Sequence, residues 1–455
     1  MKKHLIIFLL SVCFHSVTNA QSNGILFLEG VPQSTILNPS WRLHNDDNWH
    51  ISLPALGSIS TAISFRSLSW NEAMRIENRI LYFDLENLPE AAKGNNPIYA
   101  SMNLQLFGAG FEINNRHYFT INLNTRIQSK SNIPGSIFNL QYGNWDTQTN
   151  TPINHHIQKL SVDAISYIET SLGYNLKVND QLTIGTRIKV LTGAAATKTE
   201  NLDIQMKTYT DGTMLVEHAI QQQFVGPFNI RLSDTGRING IQVENNTSDI
   251  IESTLGKNKG FAFDFGLSYQ LNDKLNLGFS VIDIGHINWS GKTQEIYSHN
   301  ALYYEPTDIS DNLTNGSSGS NNNATSQIKQ YIDDLKDSFK LNSVDSISFS
   351  TPIYRTINFN AQYQTYQWLS LGGLLQFNHF WEPNITLAST FSCRKAFSAM
   401  LSCSASKEDY LNIGTGLMVR GGFFQFYAVT DQLNSILRLG NADSINFQLG
   451  FNLIF

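Results

Sequence analysis

Charge is scarce in this sequence. Asp, Glu, Lys and Arg make up only 15% of the 455 residues, against roughly 25% in an average soluble domain, so little is available to solvate the outside of so long a chain. Cysteine is nearly missing. Of 3 in total, Cys13 lies in the leader and only Cys393 and Cys403 remain. Those two fall on neighbouring predicted strands, out of direct opposition across a turn at Arg394-Lys395, and read as free thiols rather than a disulfide. After the N-terminus no apolar run approaches the roughly 18 residues a membrane helix needs. Also missing are a P-loop, His-Glu-x-x-His, Gly-x-Ser-x-Gly, paired Cys-x-x-Cys and a dinucleotide fingerprint. The chain is therefore read as a non-enzyme without a cofactor. His155-His156 is the only tight imidazole pair, and it reads as solvated with no metal. Acidic residues outnumber basic ones, 37 to 31, which argues against nucleic acid as a partner.

What is present is alternation. Ile445, Phe447, Leu449, Phe451, Leu453 and Phe455 interleave with Asn446, Gln448, Gly450 and Asn452, giving one apolar face and one small polar face at period two. Such a strand has about the 9–11 residues that cross a bilayer in a tilted barrel. Aromatics reach 11% of the chain, with 28 Phe and 17 Tyr, as a lipid-facing pleated surface requires. The expected fold is all-β: a transmembrane antiparallel up-and-down barrel. Strands are expected near 50–66, 98–113, 117–129, 162–176, 181–194, 260–271, 275–288, 352–363, 367–378, 384–393, 396–405, 409–419, 423–431 and 445–455. That makes about 14 strands, or 16 if a polar hairpin around Asp211-Gly212 also spans.

Lys2 and Lys3, the apolar Leu5 to Phe14 and the small-residue end Thr18-Asn19-Ala20 form a cleavable signal over 1–20, with Gln21 as first mature residue. Residues 21–49 show no sustained period and are read as an arm packed in or under a single barrel over 50–455. Tight polar turns are expected at Asn114-Asn115-Arg116, Asn179-Asp180, Asn272-Asp273-Lys274 and Gln364-Thr365-Tyr366, all on the periplasmic side with the C-terminus. The insertions 67–97, 130–161, 195–259 and 289–351 then fall outside. A helix is expected over Asn71 to Leu88. A low-complexity tract follows at Asn312 to Thr325, and an amphipathic helix carries Ile328, Tyr331, Ile332, Leu335 and Phe339 on one face.

Parity turns Arg126, Glu169, Arg187, Lys189 and Asp264 into the lumen, as a paired network around a plug or as a selectivity lining. One strand breaks its own phase. Met102, Leu104 and Leu106 give way after Phe107-Gly108 to Ala109, Phe111 and Ile113, which predicts a β-bulge helped by Gly108 and Gly110 and offers a site for a lateral gap. Phe455 is read as a signal to the barrel-assembly machinery.

Together the signal, the Asn38-Pro39-Ser40 arm running into Leu53-Pro54, an interrupted early strand and the closing Phe resemble the outer-membrane barrels of the long-chain fatty-acid transporter (FadL-like) type. The chain is similar to their Bacteroidota relatives and to type IX secretion barrel proteins, among them a family with Arg-Gly-Gly-x-x-Gln-x-Tyr, here Arg420 to Tyr427, before the last strand. The resemblance implies a Gram-negative outer-membrane location with lipid as neighbour. It also implies a lumenal hatch at Asn38 and Pro39, and sideways passage of small apolar ligands through a strand kink. Asn-Pro-Ser stands where the family usually has Asn-Pro-Ala, and the outer insertions are long and polar. The alternative is a barrel that transports nothing and instead docks or shuttles secreted or surface proteins.

Overall fold

A computed structural model describes residues 22–42, 47–65, 74–77, 80–83, 88, 92–234, 236–243, 246, 248, 251, 256–305, 340–378, 383–406, 411–437, 442 and 444–455. Fourteen antiparallel strands close into one barrel. The first, β1, is in two pieces, Trp49–Ser52 and Ser58–Phe65. There follow β2 (Asn95–Ile113), β3 (His117–Pro134), β4 (Ser161–Lys177), β5 (Leu182–Thr208), β6 (Lys259–Asn272) and β7 (Leu275–Trp289). The second half comprises β8 (Thr356–Tyr366), β9 (Leu369–Asn378), β10 (Asn384–Cys393), β11 (Phe397–Ser406), β12 (Asn412–Gly421), β13 (Phe424–Thr430) and β14 (Ser444–Ile454). Closure is made by β14 against β1, with His50 opposite Ile454 and Ile63 opposite Ile445. Every spanning strand expected from the sequence is present.

The period-two pattern sets the two surfaces. Ile121, Ile188, Val190, Leu387 and Leu401 are exposed on the outside, while Asn124, Arg126, Arg187 and Lys189 are buried within. An outward belt of bare Ile, Leu and Phe is stable only against lipid, because no soluble surface tolerates an apolar band of that extent. At the end carrying the tight turns the belt finishes in an aromatic girdle. Trp49, Phe111, Phe119 and Tyr174 follow one another at ring separations of 5.1, 5.3 and 5.1 Å. Phe423 stacks on Phe455 at 5.7 Å. Aromatic rings concentrate where apolar and wet phases meet.

Turns after β2, β4 and β6 fall where the sequence puts them, and Asn114 and Asn115 take the positive φ values, 55° and 48°, that a tight hairpin demands. The fourth turn is displaced. β8 runs to Tyr366 and β9 begins at Leu369, so Gln367-Trp368 makes the turn and Gln364-Thr365-Tyr366 stays in the ladder with a register shift. Residues 71–88 differ more. Met74–Glu77 pairs antiparallel with Ile80–Phe83, so the described part of this stretch forms two paired strands where a helix is expected. Its run of Ile, Tyr and Phe favours a pleat. The tract 312–325, the helix at 328–339 and the signal lie outside the described residues.

The polar hairpin at Asp211-Gly212 does not add spanning strands. β5 is 27 residues long. Its lower part pairs with β6, while from Ala196 upward it pairs with Met214–Val225, which pairs in turn with Thr293–Tyr304. The sheet therefore rises beyond the membrane on one side, while β9 to β12 on the other side have 10 residues each. A topological consequence can be measured: with the turn end facing the periplasm, a thiol reagent on whole cells should label a Gly212→Cys protein and miss Asp273→Cys. The reverse pattern would invert the barrel.

Candidate functional site

The arm fills the lumen at the turn end. Two short 3-10 helices, Asn23–Phe27 and Pro32–Ile36, carry Ile25, Leu26, Phe27, Leu28, Val31 and Leu37 into one cluster with Leu374, Met400, Met418, Tyr427 and Val429 from the wall. Backbone carbonyls without helix partners find wall side chains instead. Thr390 Oγ1 donates to Phe27 O at 3.0 Å and Asn358 Nδ2 to Leu37 O at 3.0 Å.

Asn38 and Pro39 sit where the wall offers no side chain. Gly185 on β5 lies opposite Gly266 on β6. A Cβ on Gly185 would come within 2.1 Å of Pro39 O, and one on Gly266 within 2.3 Å of Asn38 Oδ1. Asn38 Oδ1 accepts from Ser40 N–H at 3.0 Å and Ser40 Oγ at 2.7 Å, an Asx turn that presents the proline flat to the wall. Asn175 Nδ2 donates to Pro39 O at 3.1 Å. Gly185→Val should therefore unseat this turn and open the arm to trypsin at Arg42. Digestion of folded, detergent-purified protein checks it, and an arm as resistant as wild type would contradict the packing.

Reading up β5 gives the layers of the lumen in order. Gly185 meets Pro39, and Arg187 donates to Thr35 O at 2.7 Å. Lys189 pairs with Asp264 at 2.8 Å and also contacts Asp283. Leu191 joins Tyr167, Ala262, Ile287, Trp289 and Ile353 in an upper apolar cluster. The five charged residues expected to face inward thus converge in one layer. Arg126 reaches Glu169 at 2.8 Å and holds Asp283 through two N–H···O bonds of 3.0 and 2.9 Å. Arg187 reaches Asp264 at 3.2 Å. The sixth member, Asp283, has no counterpart in the sequence reading. A bulge in β7 and a φ of 62° turn it inward, and its N–H donates to Asp264 Oδ1 at 2.7 Å.

The break in β1 is the second feature. Residues Leu53 to Gly57 leave the strand between Ser52 and Ser58, and Ala55 takes a φ of 58°. On the neighbouring β2 the register shifts between Gln105 and Phe107. The inserted residue is thus Leu106, just before the expected Phe107-Gly108. Gly108 lies opposite Ser52 and Gly110 opposite His50. A Cβ on Gly108 would meet Gln105 Nε2 at 2.3 Å and Ser52 Oγ at 3.0 Å, so glycine here makes room for the groups that line the break. A few backbone bonds bridge it, among them Leu53 N–H to Phe451 O at 3.1 Å and Ala55 N–H to Leu106 O at 3.2 Å.

One arm side chain closes the break from inside. Gln33 is buried, with Nε2 at 2.8 Å from Asn452 Oδ1, 2.9 Å from Gln105 Oε1, and 3.0 Å from both Ser52 Oγ and Gly57 O. Asn452 Nδ2 donates back to Gln33 Oε1 at 3.0 Å. A primary amide has two N–H groups, which these four oxygens share. Sequence reasoning missed Gln33, since its partners lie 19 to 419 residues away. The Arg420 to Tyr427 motif also serves this region. Arg420 Nη1 reaches Asp47 Oδ2 at 2.9 Å where the arm leaves the lumen, Gln425 Nε2 donates to Gly30 O at 2.8 Å, and Tyr427 OH donates to Gly57 O at 3.2 Å.

Other singled-out residues lie apart. Cys393 and Cys403 are free and exposed. His155 is buried with Nε2 at 2.7 Å from Gly143 O, while His156 turns the other way to Asp203 at 3.0 Å. Among the described residues no cluster of His, Cys, Asp or Glu has the geometry of a metal site.

Solved structures similar to this chain include a Pseudomonas aeruginosa FadL homologue, at 12% identity and TM-score 0.42, covering 97% of this chain and 98% of that one. The Ralstonia pickettii toluene transporter TbuX is similar at 8% identity and TM-score 0.35, over 96% and 95% of the two chains. The Pseudomonas putida toluene transporter TodX follows at 8% identity and TM-score 0.34, over 96% and 94%. Among curated proteins none matches the sequence. The profile of the family of unknown function DUF5723 matches residues 43–431. Because that match runs from the end of the arm through β13, the chain belongs to the DUF5723 family.

Proposed function

We propose that this is an outer-membrane barrel that lets small apolar molecules leave its lumen sideways into the bilayer, through the break in β1, when the arm withdraws. The observation that carries this reading is Gln33: one arm side chain fills the hydrogen-bonding groups of the only strand interruption that faces the arm directly among the described residues. The break starts four residues above Trp49, or roughly 13 Å along the strand at about 3.3 Å per residue, well inside the hydrocarbon. Its outer rim is Leu56, Phe107 and Phe451, all exposed. An exit at that depth suits an apolar molecule and no other class, since a polar one would lose its hydration there.

Uptake of a labelled fatty acid by cells tests this, at matched barrel abundance. Gln33→Ala should raise uptake, and deletion of Leu106, which restores the phase of β2, should lower it. If all three proteins match cells lacking the barrel, the transport reading fails.

The docking alternative draws on the tall side of the barrel. Cavities of about 410, 520 and 500 Å³ open among the outer insertions, one of them lined by Asp203, Glu217 and His299. Should uptake be absent, capture of secreted proteins by this wall becomes the leading reading.

A further inference from the structure

We propose that two adjoining cavities at His155-His156 form one binding site for a phosphorylated sugar, with the pyranose ring in one cavity and the phosphate in the other. Successive side chains of a strand point to opposite faces, and here each histidine faces its own cavity. His155 lines the one of about 500 Å³ and His156 the one of about 410 Å³. Asn139 lines both, so the two meet at its amide. The larger cavity carries the rings. Tyr142 is 58% exposed, and Trp145 is partly exposed with its indole N–H donated to Asn150 Oδ1 at 3.2 Å. Beside them stand the amides of Asn139, Gln148 and Asn154, with no Lys or Arg in the lining. Such a surface fits a pyranose, whose C–H face packs on a ring while its hydroxyls exchange hydrogen bonds with amides that both donate and accept. The loop is set in advance. Asp146 accepts from Gln148 N–H at 2.8 Å and the Thr149 hydroxyl at 2.7 Å, Ile153 N–H donates to Asn144 O at 2.9 Å, and Thr208 N–H on β5 donates to Asn154 Oδ1 at 2.8 Å. Little ordering is then left for a ligand to impose.

The smaller cavity carries positive charge. Lys93 and Lys159 line it together with Ser136 and Gln158, and no Asp or Glu does. Both lysines are exposed, and among the described residues neither has a carboxylate partner. An ammonium of this kind is a point charge suited to phosphate oxygens. His156 is already spent: Gln158 Nε2 donates to its Nδ1 at 2.6 Å, and its Nε2 meets Asp203 Oδ1 at 3.0 Å. The backbone around the lysines is fixed. Gly135 N–H donates to Gly94 O at 2.7 Å, and a Cβ on Gly135 would meet Ala92 O at 2.0 Å, so glycine lets residues 92–94 lie against 134–136. Asn132 Nδ2 donates to Lys159 O, and Lys159 takes a φ of 62°. A neutral sugar would use only the ringed cavity and a free phosphate only the lysines; a sugar phosphate uses both across Asn139. Such a ligand comes either from the glycolipid of the surrounding membrane or from soluble saccharides. Nothing in this site depends on transport through the lumen.

Calorimetric titration of the detergent-purified barrel, with folding checked by the heat-dependent gel shift, tests this with four probes. They are the phosphorylated core oligosaccharide freed from lipopolysaccharide by deacylation, the same oligosaccharide dephosphorylated, inorganic phosphate, and intact rough lipopolysaccharide in mixed micelles. The wild type should bind the phosphorylated oligosaccharide about tenfold more tightly than the dephosphorylated one, the scale of one charge-assisted contact. Trp145→Ala should weaken both by about tenfold, as loss of one aromatic contact allows, while Trp145→Phe keeps most of the affinity. The double variant Lys93→Gln with Lys159→Gln should bind the phosphorylated form only as well as the wild type binds the other. Tighter binding of the intact glycolipid than of its freed oligosaccharide would assign the site to the membrane around the barrel, and equal binding to soluble saccharides. No binding of the phosphorylated oligosaccharide by the wild type, equal affinity for the two oligosaccharides, or inorganic phosphate binding as tightly as either would each overturn the proposal.

Discussion

Asp283→Ala is expected to destabilise the barrel by about 3–5 kcal/mol, the usual cost of stripping one partner from a buried ion network. In the native protein three cations, Arg126, Arg187 and Lys189, meet three anions, Glu169, Asp264 and Asp283, and all are nearly sealed from water. Without Asp283 the Arg126 guanidinium loses both N–H···O bonds to its bidentate partner, and Lys189 loses a contact as well. Neither cation can reach solvent. Denaturant unfolding in detergent or lipid vesicles, followed by the heat-dependent gel shift of folded barrels, measures the loss. The double variant Lys189→Met with Asp283→Leu should recover part of it, because it removes opposite charges together. A change within 0.5 kcal/mol for Asp283→Ala, the range of ordinary surface substitutions, would mean that the layer is hydrated and not a sealed network.

The strand count was legible because a barrel wall imposes its two environments locally. At Phe261 to Leu271 every other residue must satisfy lipid and its neighbour the lumen, so the pattern of period two is written in the residues themselves. Turn positions were legible where a local requirement existed, as at Asn114-Asn115 with their positive φ. The turn at Gln367-Trp368 has no such requirement, and Gln364-Thr365-Tyr366 merely looked more turn-like. The phase break in β2 was visible within one residue of its true place, but the interruption of β1 opposite it was not, because nothing at Leu53 to Gly57 names β2 as the neighbour. Gln33 and Asp283 were invisible for the same reason. Gln33 lies in a segment without periodicity, and Asp283 faces inward only because a bulge reverses its parity. Long-range partners decide both.

The slanted wall bears on the choice between transport and docking. On the side of β9 to β12 the strands end after 10 residues, while β5 continues for 27. The upper apolar cluster around Trp289 and Tyr167 lies on the tall side, above the charged layer. An apolar molecule arriving from outside would meet this cluster first and then the ion network, which has no apolar surface to offer it. Passage to the break in β1 therefore requires a path around the network on the β9 to β14 side, where the arm packs against Leu374, Met400 and Met418. In the proposed route, withdrawal of the arm would be the step that clears such a path. Gln33→Ala, which loosens the arm without touching that apolar lining, is for this reason a sharper test than any substitution in the lumen wall.

Deleting Phe455 should cut the amount of folded barrel in the outer membrane to a small fraction of wild type. Phe455 is the last residue of the seam that turns an open sheet into a cylinder. Its carbonyl accepts from Asn48 N–H at 2.8 Å and Trp49 N–H at 3.1 Å, and its own N–H donates to Trp49 O at 2.9 Å. Its ring stacks on Phe423 in the girdle at the turn end. Three backbone bonds, each worth about 0.5–1.5 kcal/mol net, and an aromatic contact of about 0.5–1.5 kcal/mol are lost together, at the point where β1 and β14 first meet. Until those strands pair, each presents an unpaired edge, the feature that assembly must cover and that otherwise recruits other chains. The loss therefore acts on closure as well as on the finished barrel. Phe455→Leu keeps the backbone bonds and should retain most of the folded protein, while the deletion should leave unclosed chains open to periplasmic proteolysis. Quantified blots of outer-membrane fractions, run with and without heating, separate the two effects. Equal amounts of heat-shifted barrel from the deletion and the wild type would show that closure at the Trp49 to Phe455 seam does not limit assembly.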